Sequence, residues 1–343
     1  MKQLMTISSG AANLRFRHVG LTLVEMMVAL VITTVLLGGI TQIFISSKQS
    51  HKLTDSLGFM QESGRMAINL ITHDLRRAGY FGGNADITTM VDGTLAPLAP
   101  AAGTYNQCPT GTTDWALMLT HRVFGLNDTA ASYACIPTSG STQYLRGDVL
   151  VAHYSNAQTT PTSEMDTNLG MLYIRTSLST GRIFAGANRS AAANIVNGIA
   201  VTVNPLVANA YYIGTGSDTC NGDAIPSLYQ VSLGATGRPQ VQEIVSGIED
   251  LQVQYGVDTD ATPDGIANQY LNASDMADFT YWNWPGRPTT NTIVSTRVWV
   301  VSRSACADAT YTSDITYTYG DKTSKPADHY RRQVYSATVA LRN

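Results

Sequence analysis

Three sets of residues in this chain of 343 have the types and spacing to do chemistry. The first is Glu25, the single charge in the run from Leu21 to Ile45. A carboxylate inside such an apolar segment is costly, so it calls for a cation or a proton and reads as functional. The second is Asp258, Asp260 and Asp264, within Asp258-Thr259-Asp260-Ala261-Thr262-Pro263-Asp264-Gly265. Hard oxygen ligands so closely spaced can cage calcium. As an EF-hand the loop is poor, with Pro263 where Gly is needed and Gln269 where the bidentate Glu would be. An Asp/Gly hairpin turn accounts for the same residues, and the sequence leaves both readings open. The third set is Cys108, Cys135, Cys220 and Cys306, all beyond the apolar run. An even number reads as two disulfides in an oxidising compartment. Of the three pairings, Cys108–Cys135 with Cys220–Cys306 is favoured, because the first closes a short, turn-rich loop. No C-x-x-C occurs and the histidines are scattered, which leaves little support for zinc or thiol redox chemistry.

Other chemistries have no residues to run them. There is no G-x-S-x-G, no H-E-x-x-H and no P-loop. No enzyme activity is expected, no small-molecule substrate, and no cofactor other than calcium at the Asp258 loop. Charged residues are sparse at 14%, and no Lys/Arg-rich patch suggests a nucleic-acid footprint. Gly and Tyr are abundant instead, as in an extracellular β-rich domain. Phe279-Thr280-Tyr281-Trp282-Asn283-Trp284-Pro285-Gly286 concentrates aromatics. Such a cluster serves either an adhesive or subunit interface or local core packing.

The elements that position these residues are legible in outline. A run of ~20 apolar residues is enough to cross the hydrocarbon core as a helix. Residues 21–45 meet that length. From Ser46 the composition turns polar, yet Leu53, Leu57, Met60, Gly64, Ala67, Ile71, Leu75 and Ala78 recur at helical spacing. The spacing predicts one helix from Leu21 to about Ala78, apolar all round at first and then amphipathic, ended by Gly79. Gly38-Gly39 is a weak point within it. After Gly83 the period changes. Residues 84–113 read as irregular, with at most short strands. Strands are expected at 115–119, 148–154, 171–175, 211–213, 227–233, 243–245, 251–257, 293–302 and 332–341. Ser246–Asp250 reads as a helix-like or turn segment. One long helix followed by many strands argues an α+β fold with an antiparallel sheet.

The segment before the helix brings these features together. Residues 1–20 carry Lys2, Arg15, Arg17 and His18 and no acid, and Gly20 stands at the junction. They lack the apolar core and Ala-x-Ala site of a secretory signal. A basic flank before a span places the bulk of the chain on the periplasmic side. Gly20-Leu21-Thr22-Leu23-Val24-Glu25 and the apolar helix after it resemble the class III signal of type IV pilins and type II secretion pseudopilins. That resemblance implies cleavage by a prepilin peptidase between Gly20 and Leu21, with methylation of the new Leu21 amine. The family usually starts its mature chain with Phe or Met, so Leu21 departs from it. Glu25 would become the fifth mature residue, and the resemblance implies that it pairs with the amine of a neighbouring subunit to register it in the fibre.

Val245-Ser246-Gly247-Ile248-Glu249-Asp250-Leu251-Gln252-Val253-Gln254-Tyr255-Gly256 is similar to a segment of the PilW minor pilins and the related J-type pseudopilins. So is the terminal run Arg331–Asn343, closing on Leu341-Arg342-Asn343. The likeness covers residues 15–80 and 240–343. It implies a pilin-like architecture: leader 1–20, transmembrane assembly helix 21–45, amphipathic continuation 46–79, and periplasmic β-rich domain 80–343. It also implies a minor pilin held in the inner membrane and then built into a type IV pilus fibre, at the tip or along it. Its partners would be other minor pilins and the major pilin. Such fibres serve twitching motility, adhesion and DNA uptake. Two alternatives remain at this stage: a J-type pseudopilin of type II secretion, and a periplasmic binding protein or enzyme that merely keeps a helical anchor.

Overall fold

The structure is a computed structural model that describes residues 20, 22–83, 90–91, 121–130, 135–160, 169–178, 180–187, 202–234, 238–276, 279–282 and 289–341. The chain divides into two compact units, residues 1–55 and 56–343. A single helix, α1, spans Leu23–Leu75. Its start is set by a capping box: the Glu25 N–H donates to Thr22 Oγ1 at 3.2 Å, and the Thr22 N–H donates back to Glu25 Oε2 at 3.4 Å. Its end comes three residues before the expected Ala78, in a turn that places Gly79 at φ 84°. The Gly79 N–H then donates to the His153 carbonyl.

In the first unit every described residue of the apolar stretch is exposed. In the second, the helical stripe predicted from Met60 to Leu75 is the buried one, with Met60, Gly64, Ala67, Ile71 and Leu75 in the core. Leu53 and Leu57 continue the same spacing but remain exposed.

Among the described residues the strands are β1 (Met90–Val91), β2 (Val123–Leu126), β3 (Tyr144–Ser155), β4 (Leu172–Thr176), β5 (Gly181–Ala185), β6 (Thr202–Cys220) and β7 (Asp223–Leu233). They continue with β8 (Pro239–Ser246), β9 (Ile248–Asp258), β10 (Gln269–Asn272), β11 (Thr292–Arg303), β12 (Tyr317–Tyr319), β13 (Lys322–Ser324) and β14 (Arg332–Ala340). β1 to β8 form one sheet in which β6 is the hub, pairing with β4, β3 and β7. The second sheet runs β10-β9-β11-β14, and β12-β13 is a separate hairpin. All pairings are antiparallel except β1 with β5. The class is therefore α+β, as the element order predicts.

One core joins the helix and both sheets: Ala67, Ile71 and Leu75 belong to the same cluster as Val149 and Val151 of β3 and Leu251, Val253 and Tyr255 of β9. β3 is buried on both faces from Gly147 onward, which is why its sequence is a near-continuous apolar run and does not alternate. On β11 the alternation is visible: Thr296, Val298 and Val300 are buried while Arg297 is exposed between them. Gly64 lies under the Tyr335 ring of β14, leaving no room for a side chain on the helix there.

Of the two readings of Ser246–Asp250 the turn holds, at Gly247, and the helix-like one does not: the segment is the switch between the two sheets. Gly247, at φ 84°, ends β8, and β9 begins at Ile248. A Cβ on Gly247 would run into the Phe59 ring of α1. The local reason for the misreading is that a left-handed glycine between two strands carries the same turn signature as a helix stop.

Candidate functional site

The first candidate is the junction ahead of α1. Gly20 is exposed, with open space where a Cβ would be. Leu21 lies outside the described residues. Glu25 is exposed, and its carboxylate accepts the backbone N–H of Thr22, so it satisfies one of the orphan donors at the start of its own helix. An acid in the first turn is also favoured by the positive end of the helix dipole. The helix is long and apolar enough to cross a membrane, and no residue of its most apolar window is buried.

The second candidate, the Asp258 loop, holds together as a turn. Asp258 is fully buried at the end of β9. Its Oδ1 accepts the Asp260 N–H at 3.1 Å and its Oδ2 accepts the Gly265 N–H at 2.7 Å. Asp264 accepts the Ile266 N–H at 2.8 Å. Oxygens of Asp258, Asp260 and Asp264 lie within 4.8 Å of one another. The residues are brought together as predicted, and the best-placed carboxylate already closes the loop through backbone donors.

The disulfide Cys220–Cys306 is formed, with Cα atoms 5.4 Å apart. It ties the β6–β7 hairpin to the loop after β11. Cys135 is also disulfide-bonded; Cys108 lies outside the described residues, as do the strand expected at 115–119 and residues 283–288 of the aromatic segment. Tyr281 and Trp282 of that segment pack inward. Trp282 is buried edge-on to Tyr255, with ring centroids 4.8 Å apart, and against Phe124 at 5.1 Å.

Two buried ionic centres have no sequence motif. Asp74, in the last turn of α1, accepts hydrogen bonds from Tyr154 at 2.8 Å and from Tyr211 and Asn209 at 2.6 Å each. Gln230 in turn donates to Tyr211. Burial and the Asp74 charge push the Tyr154 and Tyr211 hydroxyls far above the usual tyrosine range, so both stay protonated donors. Glu249, at the start of β9, meets Arg332 of β14 in a two-pronged pair, and Arg332 also grips Asp328. Both centres join residues about 80 or more positions apart, beyond the reach of local pattern reading.

The fold is α+β, a mostly antiparallel two-sheet unit with an N-terminal helix long and apolar enough to cross a membrane. Residues 210–343 match the family model PilW, described as type IV pilus-assembly protein W. A search of curated proteins and a search of solved structures found no match.

The matched region starts inside β6 and takes in the whole second sheet, which gives its motif a physical reading. Gly247 makes the sheet switch, Ile248, Leu251, Val253 and Tyr255 fill the core, and Gly256 lies against Ser295 and Tyr270 where a Cβ would not fit.

Proposed function

We propose that this protein is a minor pilin of a type IV pilus. It is inserted in the inner membrane, cut by prepilin peptidase between Gly20 and Leu21, and methylated at Leu21. It then enters the fibre through α1 beside other minor pilins and the major pilin, and helps to prime assembly. Its role is structural, without catalysis, cofactor or small-molecule substrate; the Asp258 loop serves as a turn. The observation that supports this best is the coincidence on one chain of two unrelated features. One is the PilW match at residues 210–343. The other is an exposed Gly20 directly before an unburied apolar helix with Glu25 in its first turn.

The test is Gly20→Val. The peptidase must approach the backbone at the junction, and a β-branched side chain stands in the way. Intact-mass analysis is expected to show wild-type protein starting at a methylated Leu21 and the variant still carrying residues 1–20. A mature chain that starts elsewhere, or normal processing of the variant, would refute the assignment. Sheared fibres that contain the protein separate the pilus role from a type II secretion role, in which a deletion strain instead fails to export enzymes.

A further inference from the structure

A polar cleft of about 600 Å³ opens between the outer face of the second sheet and the β12–β13 hairpin. That volume lies within the roughly 300–1,000 Å³ usual for ligand sites. Its floor is the buried Glu249, whose Oε1 accepts from Arg146 and Arg332 and lies within ion-pair distance of Arg303. The three are not equally served. Arg332 holds Glu249 with two donors and Asp328 with two more. Lys322, on the hairpin side, is neutralised by Asp250 at 3.1 Å and by Asp128.

Arg146 and Arg303 are left with what remains of Glu249. Arg146 reaches it only at 3.5 Å and its side chain is 48% exposed. Arg303 stands 3.8 Å away, beyond hydrogen-bond reach, although its side chain is only 11% exposed. Its Nε is buried and has no hydrogen-bond partner among the described residues. One face of its guanidinium lies on the Tyr330 ring at 4.0 Å, which fixes its plane. Burial lowers the Arg303 pKa, against the opposing pull of Glu249. A buried donor without a partner costs free energy that a ligand oxygen would recover.

We propose that this cleft binds a peptide carboxylate, an acidic side chain or a C-terminus of another protein, held by Arg303 and Arg146. The planar guanidinium fork matches a carboxylate in two parallel hydrogen bonds. A phosphate dianion suits the cleft less well, because Glu249, Asp250 and Asp328 also line it and repel the second charge. This goes beyond the pilin reading and does not depend on it, since it concerns only the folded domain.

The test uses the full-length protein in detergent and three labelled peptides of one sequence, followed by fluorescence anisotropy. The first has a central Glu and an amidated end; the second has Gln at the centre and a free C-terminal carboxylate; the third has Gln and an amidated end. At least one of the first two is expected to bind, and which one does identifies the source of the carboxylate. The neutral peptide is expected to bind at least tenfold more weakly. Arg146→Gln is expected to weaken binding by about tenfold, the scale of one charge-assisted hydrogen bond. This variant loses a single long contact at a half-exposed site and is expected to keep the wild-type melting temperature. Arg303→Gln is expected to abolish binding, with Arg303→Lys restoring part of it. Equal binding of all three peptides, binding unchanged in Arg146→Gln, or binding of inorganic phosphate in place of the carboxylates would overturn the proposal.

Discussion

Glu25 and Asp74 lie in the first and last turns of one helix, and they live under opposite conditions. Glu25 is exposed, and among the described residues its carboxylate accepts the Thr22 N–H while its own N–H donates to the Thr22 hydroxyl. Asp74 is buried and accepts three strong hydrogen bonds from β3 and β6. A buried carboxylate with every lone pair engaged is a structural rivet, because removing it leaves its donors without partners. An exposed carboxylate at the start of an apolar helix stabilises little beyond its own cap. Whatever else Glu25 does must involve something outside its own fold. The contrast separates folding from function within one element.

The largest effect is expected from Asp74→Ala. Tyr154, Tyr211 and Asn209 would each keep a buried donor with nothing to receive it, at about 1–3 kcal/mol apiece. The total is about 3 kcal/mol or more, read as a clear fall in the melting temperature of the full-length protein. Asp74→Asn is expected to rescue little, since its amide would present a donor to donors. A melting temperature within a degree of wild type for Asp74→Ala would show that water replaces the carboxylate and that the contrast with Glu25 is not one of structural role.

The Asp258 loop offers a smaller effect and a sharper distinction. As a turn closed by backbone donors, it is expected to show no change in melting temperature on adding millimolar calcium. Asp258→Ala is expected to cost about 1–3 kcal/mol, because the Asp260 and Gly265 N–H groups lose their acceptor. A calcium-dependent rise that Asp260→Ala removes would instead make the loop a metal site, by ligand linkage.

What the sequence reveals follows the range of the forces involved. Periodicity exposes the buried stripe of α1 from Met60 to Leu75, because core burial repeats every helical turn. It does not say where burial begins, so Leu53 and Leu57 match the pattern without being covered. The buried runs of β3, β9 and β11 are legible for another reason, as short apolar runs rich in β-branched residues and bounded by turn residues. β6 is harder: only Tyr211–Ile213 reads as strand, while the strand extends from Thr202 to Cys220 through Pro205, Gly214 and Gly216. Gly214 is carried there by pairing on both edges and Pro205 by pairing with Tyr173 of β4, while Gly216 falls in the irregularity between Thr215 and Thr219. β2, β5, β10, β12 and β13 are too short to show a period of their own. The Gly20–Glu25 junction is legible because its chemistry is local. The Asp74 centre and the cleft around Glu249 are not, since each is assembled from distant strands.

The smallest expected effect on the fold, and the most informative for function, is that of Glu25→Ala. The substitution removes one side of an exposed capping box, a loss of about 1 kcal/mol or less confined to the helix start. Residues 56–343 form a separate compact unit whose core includes no residue near Glu25. Their melting temperature is therefore expected to be unchanged. Cleavage at Gly20 is expected to persist, because Glu25 is the fifth residue beyond the scissile bond. If the acid serves to neutralise the Leu21 amine of an adjoining subunit, the deficit appears only at docking. There an unpaired charge enters an apolar environment at a cost of several kcal/mol. The measurement is the ratio of this protein in sheared fibres to that in the membrane fraction, in a strain without the native copy. A fall of at least tenfold in that ratio, with melting and processing intact, is the expected result. A variant that enters fibres as well as wild type would reduce Glu25 to the helix cap seen in the structure, and the comparison with Asp74 would become one of two structural residues of unequal strength.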